Sequence, residues 1–247
     1  MNSQRRKCSR LTDRHSTKYD GRVLPLYSGP EVKIRIGSAS HEYTLPKDLL
    51  CTQVPYFKGM FKEEQFKEGI DLSATLPEED GVVSTRSFEM LVQWVCHNRI
   101  VLGDLPTTEA IDAIIEFARL ADMYIIKGLE SSMANNLKQI ILADKTIQNS
   151  VFANPPDQNT YHLTLEHIRA GVLLPEGHAV RKVLASAAVK GYLLRDRRQF
   201  FQDIQSLPDF AVDLLGEVGV ALHSLELEKR GMSFKDPLSG RRINLVV

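Results

Sequence analysis

Between Val32 and Leu142 the spacing of apolar residues passes from strict alternation to long helical stripes, which restricts the segment to a small sheet covered by helices. Val32-Lys33-Ile34-Arg35-Ile36 alternates with period 2, the pattern of a half-buried strand. The turn formers Gly37-Ser38-Ala39-Ser40 then lead into a second short strand around His41 to Leu45. Two short helix-like runs follow, one containing Leu49-Leu50 and one Val54-Pro55-Tyr56-Phe57-Lys58-Gly59-Met60-Phe61, and Ile70-Asp71-Leu72 reads as extended. Phe88, Leu91, Val92 and Val95 then recur at i, i+3, i+4 and i+7, as do Ile111, Ile114, Ile115 and Ala118, so each set marks one buried helix face. Pro106, Thr107 and Glu109 supply a start for the second of these helices, with a hydroxyl and a carboxylate at its positive end. A third stripe runs through Ile126, Leu129, Met133, Leu137 and Ile141.

Composition limits the rest. A chain of 247 residues, 43% hydrophobic and 25% charged, buries one sizeable core or two small ones. No run of about 18 apolar residues is present to cross a bilayer, and Met1-Asn2-Ser3-Gln4-Arg5-Arg6-Lys7 lacks the apolar stretch of a secretory signal, so a cytoplasmic or nuclear location is expected. Cys8, Cys51 and Cys96 are odd in number and far apart. They support neither a disulfide framework nor a closed zinc site, and read as ordinary thiols.

The net charge of zero is unevenly spread. Residues 1–30 hold seven basic side chains against Asp13 and Asp20, a net of +5, with no apolar periodicity. Such an arm cannot bury enough surface to offset its ordering entropy and is expected to be disordered. Its one apolar cluster, Val23-Leu24-Pro25-Leu26-Tyr27, suits an extended segment. Arg5-Arg6-Lys7 is either a solvated terminus or a patch for nuclear import or an anionic surface.

After Asp144 the turn formers Asn154-Pro155-Pro156-Asp157-Gln158-Asn159 predict a linker at 146–160, followed by a helical extension over 161–230. Leu165, Ile168 and Val172 mark one short helix, and Val180, Val183, Leu184 and Ala187 another. Ser206-Leu207-Pro208-Asp209 has the chemistry to start a third, with Ser206 as its cap. Gly216 and Gly219 weaken its continuation to Leu227. Residues 231–247, with Pro237 and Gly240, read as a loop-like tail.

The order of these elements resembles a BTB/POZ domain of the fungal type over residues 31–145, with Tyr56-Phe57 shortly before Met60-Phe61 and the later Leu120-Ala121-Asp122-Met123-Tyr124. Pro46 and Val54 stand where many members of that family carry histidine and serine. The resemblance implies an α+β class, a BTB/POZ fold with a small mixed sheet flanked by helices, here followed by an all-helical extension. It further implies a non-enzymatic adaptor or scaffold, in one form a substrate adaptor of a cullin-based ubiquitin ligase. A hydrophobic residue, any residue and an acid precede the third strand in such adaptors. Here that pattern falls on Phe66-Lys67-Glu68, making Phe66 the apolar anchor and Glu68 the charged group, with Phe61 in the same partner-binding region. The competing reading packs Phe66 under the loop and leaves Lys62, Glu63, Glu64, Lys67 and Glu68 as a solvated charged face. The partner is then a cullin-type scaffold or a second copy of the chain. Residues 1–31 show no helix of the kind that dimerising members use, which favours a short-form monomer. The alternative is a BTB-type transcriptional or chromatin regulator that self-associates and uses the basic arm, although no separate DNA-reading motif is present.

Enzymatic readings find no support. There is no phosphate-binding glycine loop, dinucleotide fingerprint or nucleophile elbow. Ser38 and Ser40 near His41 lie in a tight turn with no third triad member in an expected context. Cys96 and His97 are adjacent on a helix and diverge by about 100°, and the remaining histidines have no ligand spacing. No cofactor and no metal are expected.

Overall fold

The computed structural model describes residues 24–38, 41–62, 66–143, 157–194, 200, 202–228 and 231–245. Most of the basic arm therefore lies outside the described residues. Among those described, the class is mixed α and β. The chain divides into two compact units, one comprising the residues up to Val101 with Leu120–Lys127, the other Leu102–Arg119 with the residues from Gly128 onward.

In the first unit, a 3₁₀ turn at Leu24–Tyr27 replaces the extended segment expected there. It is held by Tyr27, whose hydroxyl donates to the Cys96 carbonyl at 3.2 Å. Strand β1 (Glu31–Ile36) follows, with Val32, Ile34 and Ile36 buried and the residues between them exposed, as the alternation demands. It is central in a sheet of order β2-β1-β3, antiparallel to β2 (Glu42–Pro46) and parallel to β3 (Ser73–Leu76). Gly37, at φ +54°, makes the turn out of β1, where a side chain would also meet Glu78. Arg35 and Glu42 face each other across the β1–β2 ladder, 2.8 Å apart. Arg35, with Lys33 close by, holds the Glu42 carboxyl below its ordinary range.

Pro46 ends β2 and stands as N-cap of α1 (Lys47–Gln53), its fixed φ of −62° serving both roles. Pro55 begins α2 (Pro55–Met60) at the helical position where its missing N–H costs nothing. A short α3 (Lys67–Asp71) then occupies the place where Ile70-Asp71-Leu72 reads as extended. The strand starts one residue later, because Leu72 adopts a left-handed conformation, φ 49°, and terminates the turn. Helix α4 (Thr85–His97) opens on a capping box in which Ser84 Oγ accepts from the Ser87 amide and Ser87 Oγ from the Ser84 amide. Phe88, Leu91 and Val95 are buried on its inner face, with Trp94 only half-buried. Cys51 is a free thiol whose pKa burial pushes up. Cys96 departs from the expectation of three thiols: it is disulfide-bonded. Separation in sequence is a weak guide here, since closing a longer loop adds entropy only logarithmically.

Helix α5 (Thr107–Met123) carries the predicted stripe, with Ile111, Ile114, Ile115 and Ala118 all buried. The third stripe is divided. Met133, Leu137 and Ile141 lie on α6 (Glu130–Ala143), whereas Ile126 and Leu129 are buried in the turn before it, shaped by positive φ at Ile125 and Gly128.

In the second unit α7 (Leu165–Gly171) and α8 (Ala179–Leu193) follow the expected stripes, and α9 (Pro208–His223) runs through both of its glycines but ends short of Leu227. Ser206 does not cap α9: it lies in the preceding 3₁₀ turn Ile204–Ser206, its hydroxyl bonded to Asp203 O, and Leu207 is the N-cap. The expectation of an all-helical extension with a loop-like tail is overturned. Strands β4 (Glu226–Glu228), β5 (Gly231–Lys235) and β6 (Arg242–Leu245) form an antiparallel sheet of order β4-β5-β6. Pro237 and Gly240, the residues that suggested a loop, make the hairpin turn between β5 and β6. Asp236 ties that turn down, its Oδ2 accepting from Ser239 and from Asn159 Nδ2 at 3.0 Å. Asp157, Asn159 and Thr160 are buried, and Asp157 pairs with Lys190 at 2.9 Å, so the last residues of the expected linker pack within the unit.

Candidate functional site

The residues singled out for partner binding lie on either side of residues 63–65, which fall outside the described residues. Phe61, at the C-cap of α2, is 1% exposed and stacks on Phe57 with ring centroids 6.1 Å apart. Phe57 in turn meets Tyr124 edge-on at 5.4 Å and Phe88 at 6.3 Å, while Tyr56 stacks on Tyr124 at 4.3 Å. Burial, with Tyr56 and Glu79 nearby, pushes the Tyr124 phenol far above its ordinary pKa, so it stays neutral. Phe61 therefore belongs to the core. It anchors the end of α2 and is not available as a surface contact.

Phe66 is on the other side. It is 52% exposed at the N-cap of α3, so it does not pack beneath the loop. Its carbonyl accepts from the Gly69 amide at 3.1 Å and more weakly from Ile70 at 3.4 Å, closing a single helical turn. That turn places Ile70, 72% exposed, four residues on from Phe66 and on the same side of the helix. Glu68 lies between them, half-exposed in the first turn. The arrangement is a pair of large apolar side chains presented to solvent with a carboxylate beside them.

Two features fix the turn. A Cβ at Gly69 would come within 2.6 Å of the Lys62 carbonyl oxygen, so the backbone of α3 lies against the chain leaving α2 at a distance that only glycine permits. At the other end the Leu72 carbonyl accepts from the Lys33 amide at 2.9 Å, joining α3 to β1. Ile70 is the residue that reading by motif missed. Its signal was the i, i+4 spacing from Phe66, concealed by treating Ile70-Asp71-Leu72 as strand.

Elsewhere, the second unit has a small cavity of about 150 Å³ lined by Lys190, Arg241, Asp236, Asn159, Gln158 and Leu142. Among the described residues no cluster of three His, Cys, Asp or Glu could hold a metal ion, and no helix is long and apolar enough to cross a membrane. No protein-family model matches the chain, and no curated protein matches it.

Proposed function

We propose that the chain is a non-enzymatic interaction protein of BTB/POZ type. Its α3 turn is the contact surface, and a cullin-type ubiquitin-ligase scaffold is its partner. The observation that carries the reading is the pair Phe66 and Ile70, exposed together on a rigidly seated turn with Glu68 between them. Large exposed apolar groups at the centre of a small patch supply most of the energy of a protein interface once water is excluded from them, and an adjacent acid adds register. The β1–β2 hairpin, two short helices and a third strand returning parallel to β1 support the BTB side of the reading.

The test is binding of the full chain to a cullin N-terminal region, measured by calorimetry on wild type and on Phe66→Ala combined with Glu68→Ala. Loss of micromolar binding with unchanged circular dichroism and melting temperature is the expected result. A wild-type chain that fails to bind at micromolar concentrations overturns the cullin assignment. Binding that survives the double substitution overturns the placement at α3.

A further inference from the structure

Helix α9 (Pro208–His223) offers a second surface, independent of the α3 turn. Its inner side buries Phe210, Leu214, Val218 and Ala221. Its outer side is also apolar: Val212, Leu215, Val220 and Leu222 are between 45% and 63% exposed. At 3.6 residues per turn, the outer arc from Val212 to Leu222 contains those four residues with Gly216 and Gly219, and the exposed Asp209 and His223 share its side at the two ends of the helix. A helix that faces water on one side normally carries polar residues there.

The glycines supply a second, separate observation. A Cβ added at Gly216 or Gly219 meets nothing within 4 Å, so neither is required by the packing of its own chain. Each nonetheless costs a helix interior about 1 kcal/mol relative to alanine. Backbone left bare in the middle of an apolar face lets another helix approach closely.

We infer that this face is an interface between two copies of the chain, with two α9 helices packed antiparallel about a two-fold axis at Gly216. Three arguments favour a second copy. The face carries no charge between Val212 and Leu222, and an antiparallel pair about Gly216 sets the exposed Asp209 of one copy opposite His223 of the other, so it meets itself without like-charge repulsion, as an isologous contact requires. An axis at Gly216 sets Val212 of one copy opposite Val220 of the other, filling the space on both sides of the glycines. The exposed apolar area of the arc, buried in both copies, is on the order of 1,000 Å², the lower bound of a specific interface and the size of a weak dimer. The direction follows from charge and dipole. Parallel packing brings Asp209 against its own copy and aligns the helix dipoles, whereas antiparallel packing separates the two Asp209 side chains by about 20 Å.

Sedimentation velocity on the full chain tests the inference, with wild type expected as a dimer at micromolar concentration. Gly216→Lys places two ammonium groups at the axis and should raise the dissociation constant on the order of a hundredfold. Because lysine is the better helix former, the melting temperature of the resulting monomer should not fall below that of wild type at a concentration where wild type is also monomeric, which separates lost association from misfolding. Under mild oxidation, with wild type as control for the native cysteines, Gly216→Cys should cross-link to itself. Val212→Cys should do so only when mixed with Val220→Cys. A monomeric wild type, a dimer indifferent to Gly216→Lys, or efficient cross-linking of Val212→Cys alone would each overturn the proposal.

Discussion

Ser186 Oγ donates a 2.7 Å hydrogen bond to Glu217 Oε2, and both side chains are buried where α8 packs on α9. Lys182 Nζ lies 3.7 Å from the other carboxylate oxygen but is mostly exposed, so the hydroxyl is the shielded partner of this buried acid. Ser186→Ala removes it and should cost about 1–3 kcal/mol, the desolvation penalty of a carboxylate left short of a donor. Denaturant unfolding checks this. Replacing Glu217 by methionine in the same chain should recover part of the loss, because an apolar pair of similar volume needs no partner; strictly additive effects would contradict the coupling.

Leu91 is fully buried in the first unit on the inner face of α4. Leu91→Ala should destabilise by about 2–5 kcal/mol, from lost transfer energy and the cavity left behind. A change below about 1 kcal/mol would mean that the site collapses around the smaller residue.

At Gly69 the obstacle is backbone and cannot rotate away. Gly69→Ala should displace α3 from the Lys62 carbonyl and cost about 1–3 kcal/mol. Amide exchange over residues 66–72 should speed up more than exchange in α4, a local signature that a uniform loss of stability would not produce.

His167 provides the pH prediction. It is 1% exposed, its Nδ1 accepts from the Thr164 amide at 3.0 Å, and its Nε2 lies 2.9 Å from Asp112 Oδ1, off hydrogen-bond alignment. Burial lowers its pKa below the ordinary 6.5, outweighing the attraction of Asp112. The unfolded chain therefore takes up the proton first as pH falls, and stability present above about pH 7 should be lost as pH drops below the unfolded value. Melting temperature measured from pH 7.5 down to 5.5 should fall, and His167→Gln should flatten the part of that slope belonging to this residue.

The helices of this protein were legible because long amphipathic stripes repeat the same signal several times. Ile111, Ile114, Ile115 and Ala118 all lie where their spacing puts them. Short elements were not. In α3 the apolar residues are too few to set a period, and the left-handed Leu72 that ends the turn and starts the strand is announced by no neighbouring residue. The β4-β5-β6 sheet was hidden for a related reason: Pro237 and Gly240 signal a turn, and nothing local tells a hairpin from a loop. At the candidate site the tripeptide 66–68 was readable, but the burial of Phe61 depends on Phe57, Phe88 and Tyr124, which come together only in three dimensions.

The parallel pairing of β1 with β3 sets an order of assembly. The β1–β2 hairpin joins residues close in sequence, whereas the register Lys33 to Ser73 closes a loop containing α1, α2 and α3. Closure entropy for such a loop must be overcome before its contacts return any energy, so the hairpin can form early and β3 docks late. The turn that carries Phe66 and Ile70 is thus seated at one end by that late pairing, through the Leu72 carbonyl on the Lys33 amide, and a partner that binds the turn stabilises the β1–β3 pairing in return.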